Sequence, residues 1–194
     1  MNYSDWYGLL ACAVLIGCLI GFCFRGVYAR CIAAFLTAAG SLIPFSASGC
    51  SAAMYLFALI DGVSVPLIAG ALFKLLKLEQ PNRKKKAAAG IFLFGLILFA
   101  GAMGALPFDL YRYGYNPAFA LIAVITGIIL TDAVGAVLLL IGYVLFLSGV
   151  YDNCFNSFID PILWITAIVY LTRILIGKLK KSAPLENEIE NTPI

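Results

Sequence analysis

The chain has no histidine, and only 12% of its 194 residues are charged against 63% hydrophobic. Without histidine, no Ser-His-Asp or Cys-His arrangement can form and no His-ligated metal site can be built. No GxxxxGK[S/T] phosphate loop occurs, and no GxGxxG follows a strand-like run, so nucleotide binding has no motif to carry it. A formal charge of only +3, with most basic residues beside apolar runs, is not a nucleic-acid footprint. The short alternating segments of a membrane β-barrel are lacking too. MNYSDWYG places Asp5, and no Lys or Arg, before the first apolar run, so a secretory leader is not expected.

What the chain does have is long apolar runs, several of roughly 18 residues or more, enough to cross a hydrocarbon layer as helices. Soluble domains are nearer half apolar and a quarter charged. The expected architecture is therefore an all-α, polytopic transmembrane helical bundle over 1–181 with the lipid bilayer as its solvent. The tail 182–194, with three glutamates, two prolines and no apolar run, reads as a disordered cytoplasmic extension.

The basic clusters set the topology. Arg25 and Arg30, the NRKKK run at 82–86 and KLKK at 178–181 should all face the cytoplasm. Residues 31–78 must then cross twice, 87–106 once, and 118–177 three times, with 118–150 split at a Thr131-Asp132 turn. This predicts seven spans, N-terminus out and C-terminus in. The fifth span has only about 14 residues, below the usual length of roughly 17 to 25. A six-span version, with 118–150 tilted or partly re-entrant, is the alternative.

Under the seven-span reading Asp61, Asp109, Arg112, Asp152, Asn153 and Asp160 collect on the outer face, with Tyr111, Tyr113, Tyr115 and Tyr151. Arg112 would be placed to form a bidentate pair with Asp109 or Asp160. Each residue alone also has a local explanation. Asp160-Pro161 and Asn116-Pro117 suit helix caps followed by proline, Asp61-Gly62 suits a turn, and Thr131-Asp132 can cap the next helix. The aspartate spacing matches no metal-ligand pattern, so neither a metal nor a cofactor is expected. Cys12, Cys18, Cys23 and Cys31 lie in or beside the first two spans as small apolar residues, whereas Cys50 and Cys154 share the outer side and are a candidate disulfide. Gly17 and Gly21 form a GxxxG face for packing within the bundle or for homo-oligomerisation.

Three stretches resemble a family of small, functionally uncharacterised bacterial inner-membrane proteins. They are Asp61-Gly62-Val63-Ser64, the Asp109–Tyr115 stretch DLYRYGY, and the Asp152–Pro161 stretch DNCFNSFIDP. Cys154 and Asn156 stand where the family pattern has Leu and Asp. The resemblance implies a multi-pass inner-membrane location and no established activity. With no catalytic motif, the expectation is a non-enzymatic envelope component whose outer loops contact a protein partner or a lipid headgroup. A small-solute or ion transporter, or an enzyme acting on a lipid-linked substrate, are the alternatives.

Overall fold

The computed structural model describes residues 3–45, 49–60, 62–78 and 81–182. Their regular structure is all helical, with a single isolated bridge between Pro44 and Ser51 and no strand among the described residues. In chain order the helices are α1 (Tyr3–Gly21), α2 (Val27–Ser41), α3 (Ala52–Ile60), α4 (Val65–Leu75), α5 (Pro81–Ala102), α6 (Leu110–Tyr113), α7 (Pro117–Leu130), α8 (Ala133–Leu147), α9 (Cys154–Phe158) and α10 (Pro161–Ser182).

The boundaries follow local chemistry. Asn116 accepts from Ala118 N at 2.9 Å and Pro117 takes the first turn of α7. Asp132 accepts from Gly135 N at 2.9 Å and starts α8, so residues 118–150 form two helices broken at Thr131-Asp132, as expected. Gly149, at φ +74°, ends α8 in a left-handed turn where Val150 N donates to Leu145 O. MYLFALI lies within a separate short helix, α3. Helices run through the basic clusters: α5 begins at Pro81, just before NRKKK, and α10 runs through KLKK to Ser182. Lysine is a good helix former, and charge alone breaks no backbone hydrogen bond.

Helix α1 packs on α2, α3 and α4, and α5 packs on α10. The GxxxG face of α1 closes the first contact. A Cβ at Gly17 would overlap the Ala34 carbonyl, and one at Gly21 would lie 2.9 Å from Arg30 O. These glycines let α1 and α2 approach within this chain. One apolar cluster joins Cys12, Leu15, Ala53, Val63, Leu67 and Leu163. A second joins Leu98, Val124, Phe146, Phe155 and Phe158.

The exterior is also apolar, with Phe35 on α2 74% exposed and Ile129 on α7 77% exposed. Two helical segments, Lys84–Ala102 and Pro161–Leu179, are long and apolar enough to cross a membrane. Asp5–Gly21, Val27–Ser41, Val65–Leu75, Pro117–Leu130 and Ala133–Leu147 are shorter apolar helices.

Candidate functional site

The chain is extended, not helical, from Gly62 to Ser64, with Gly62 at φ +132° and Ser64 at φ −69°, ψ 151°. A break between helices leaves backbone N–H and C=O groups without intrahelical partners. Here two residues from the far end of the chain supply them. Ser64 N donates to Asp160 Oδ2 at 2.8 Å, a bond spanning 96 positions. Tyr151 Oη lies 2.6 Å from Val63 O and 3.0 Å from Tyr7 Oη. A carbonyl cannot donate and a phenol has one proton, so Tyr151 donates to Val63 O and Tyr7 donates to Tyr151. The two tyrosine rings meet edge to face with centroids 5.4 Å apart. Burial, the largest cause, pushes the Tyr151 hydroxyl well above its ordinary pKa, so it remains a neutral donor.

Asp160 is only 7% exposed. Its other oxygen, Oδ1, accepts from Leu163 N at 2.7 Å, capping α10 immediately before Pro161. Both carboxylate oxygens are therefore committed to backbone N–H groups.

A second joint lies alongside. Asn153 is fully buried; its Oδ1 accepts from Phe155 N at 2.9 Å and its Nδ2 donates to Tyr111 O at 2.8 Å. Cys154 N donates to Gly114 O at 3.0 Å, and Tyr111 Oη donates to Asn156 Oδ1 at 2.8 Å. Helices α6 and α9 are thus tied by three hydrogen bonds. Gly114 is required there, because a Cβ would run into Asn153 Oδ1 and Phe155.

The expected cluster divides accordingly. Asp160 and Asn153 point inward. Asp109 is half-buried and caps α6 by accepting from Tyr111 N at 3.0 Å. Arg112 and Asp152 are exposed, and Asp61 lies outside the described residues. The expected Arg112 pairing with Asp109 or Asp160 is replaced by these backbone contacts. Backbone N–H groups, local for Tyr111 and Leu163 and distant for Ser64, reach the carboxylates without ordering a long arginine side chain.

Cys50 and Cys154 are not bonded to one another. Cys154 is fully buried in α9 against the second apolar cluster, whereas Cys50 is half-buried beside the Pro44–Ser51 bridge. Burial, the largest cause, pushes the Cys154 thiol up to about 11. Phe155 and Phe158 are 2% and 6% exposed and belong to the core.

Sequence reasoning missed Tyr7 and gave Ser64 no role. Nothing local marks either one, since each acts through contacts far away in the chain. Ser64 is fully buried, and its Oγ has no hydrogen-bond partner among the described residues. Ser157 Oγ donates to Cys154 O at 2.6 Å. No serine or cysteine here is paired with a base, and no three His, Cys, Asp or Glu side chains among the described residues converge as a metal would require. As folded, the cluster is a hydrogen-bonded joint.

Comparison with protein-family models, with curated proteins and with solved structures finds no match.

Proposed function

We propose that this chain is a multi-pass protein of a bacterial inner membrane and a non-enzymatic envelope component whose rigid outer loops contact a partner protein. In this reading α1, α2, α4, α5, α7, α8 and α10 are the seven spans, N-terminus out and C-terminus in, with α3, α6 and α9 at the outer end. Support for the topology comes from how charge divides along the bundle. Contacts of Tyr7, Val63, Ser64, Tyr111, Asn153 and Asp160 gather the polar joints at one end. Lys74 Nζ lies 4.5 Å from the centroid of the Phe22 ring, so the carboxyl ends of α1 and α4, with their cations, meet at the other.

The observation that carries the functional reading is the locking of the outer loops. The buried polar groups are largely consumed within the chain, while Arg112, Tyr113, Tyr115 and Asp152 stay exposed on a fixed frame. Such a surface suits recognition better than acid–base chemistry. A photo-crosslinking residue at 115 or 152, irradiated in intact cells, should trap a discrete protein adduct that the same probe at 140, on the apolar face of α8, does not. Equal adducts from all three positions, or none from 115 and 152, would count against the reading.

A transporter reading draws on one observation, the unwound 62–64 segment beside the buried Ser64 hydroxyl. Liposome flux that disappears in Ser64→Ala, in protein of unchanged thermal stability, would favour it.

A further inference from the structure

The turn from α1 to α2 and the carboxyl end of α4 bring four cations together. Arg30 Nε donates to Phe24 O at 2.7 Å, which holds the guanidinium over the turn. Lys74 stacks on Phe22, and Gly21 approaches both Arg30 O and Leu75 closely. Arg25 and Lys77 are exposed beside them. Residues 18–45 and 62–78, which build this corner, contain no Asp or Glu; Glu79, the next acid, lies outside the described residues.

Lys77 adds an independent observation. Leu78 N donates to Phe73 O at 2.9 Å and Lys77 N to Lys74 O at 3.3 Å, the Schellman pattern that ends α4. Its left-handed position is normally glycine, yet Lys77 occupies it at φ +56°, and no other described non-glycine residue has positive φ. A side chain kept in a conformation that favours glycine invites a functional explanation. The apolar surroundings narrow it further. Phe24, Tyr28 and Leu78 are all exposed on the same corner, Tyr28 by 88%.

We propose that this corner binds an anionic phospholipid, the phosphate resting among Arg25, Arg30, Lys74 and Lys77 with acyl chains along the neighbouring apolar surface. Charge complementarity selects an anion, and the adjoining apolar surface selects an amphiphile over a free anion. The inference rests on the membrane reading above.

The test uses the full chain, first reconstituted into phosphatidylcholine vesicles and checked by flotation, then held in neutral detergent. Its thermal midpoint is followed while phosphatidylglycerol, phosphatidylcholine or inorganic phosphate is added at fixed ionic strength. Phosphatidylglycerol should raise the midpoint saturably, with the other two inert. Lys74→Gln with Arg25→Gln should weaken its half-saturation about tenfold, whereas Arg173→Gln on α10 should leave it unchanged. Lys77→Gly should raise the lipid-free midpoint and yet weaken the lipid response, a combination that a purely structural lysine does not give. Failure to float overturns the membrane reading and the lipid site with it. Flotation with equal responses to both lipids, an equal response to inorganic phosphate, or equal loss in Arg173→Gln overturns the lipid site alone.

Discussion

Asp160→Ala tests the joint at its centre. The substitution removes two acceptors at once: the cap of α10 through Leu163 N, and the partner of Ser64 N. Losing an N-cap costs about 0.5–2 kcal/mol. Leaving the buried Ser64 N–H unpaired costs about 1–3 kcal/mol. The sum is about 3 kcal/mol, or about 6–12 °C at about 2–4 °C per kcal/mol for a chain of this size. Asp160→Asn keeps one acceptor oxygen and should fall roughly midway. The chain carries its own reporter, because Cys12, Cys18 and Cys154 are at most 1% exposed and would react with a thiol-specific fluorophore only on unfolding. The pair can be isolated by a cycle with Ser64→Pro, since φ −69° already suits proline; because the substitution removes the buried hydroxyl as well as the donor, Ser64→Ala serves as its reference. Ser64→Pro should cost less in the Asp160→Ala background than in the natural chain, with a coupling of about 1–2 kcal/mol. Strict additivity, or a loss below about 1 kcal/mol for Asp160→Ala, would refute the reasoning.

Gly114→Ala should lower the midpoint by about 2–3 kcal/mol equivalent through overlap with Asn153 and Phe155, whereas Gly40→Ala, whose Cβ meets nothing, should raise it by up to about 1 kcal/mol. Asp132→Ala should cost about 0.5–2 kcal/mol and Asp132→Asn almost nothing, because asparagine caps as well as aspartate; a large loss in Asp132→Asn by thermal melt would mean that the charge itself is needed. With its folded pKa at about 11, above the ordinary 9.0, the neutral Cys154 thiol contributes stability that is complete below about pH 9 and lost as pH rises through about 11. A Cys154→Ser chain should therefore lose less stability than the natural one between those pH values, read by intrinsic fluorescence.

The local half of this structure was legible. Asn116-Pro117, Asp132 and Asp160-Pro161 start helices as their chemistry dictates, because a cap needs only the next two or three residues. The division of 118–150 was legible too, since the parity set by the basic clusters called for a break at Thr131-Asp132. Cap chemistry could not show that Asp160 has a second partner 96 residues away, or that Tyr7 and Tyr151 cooperate on Val63 O. Pairing across such separations leaves no periodic trace. The inward turn of the two phenylalanines in DNCFNSFIDP left no trace for a related reason. In a five-residue helix no periodicity can separate an inner from an outer face, and Phe155 and Phe158 turn inward onto α5, α7 and α8.

The break at 62–64 decides between a structural joint and a pathway. In an apolar bundle an unwound segment persists only where its backbone groups find partners. A transporter leaves some of those groups for its substrate, whereas here Val63 O and Ser64 N are both taken by protein. The Ser64 hydroxyl is the buried side-chain polar group without a partner among the described residues. If the joint is closed, that hydroxyl carries a desolvation cost with no compensating bond, so Ser64→Ala should be neutral or stabilising by up to about 1 kcal/mol. If a small solute or ion completes its hydrogen bonding, the substitution should destabilise the chain only where that solute is present. Melts of the natural chain and Ser64→Ala, run with and without sodium or potassium salts, separate the two. An alanine chain that is less stable by more than about 1 kcal/mol, in a manner that depends on the salt, would refute the closed joint.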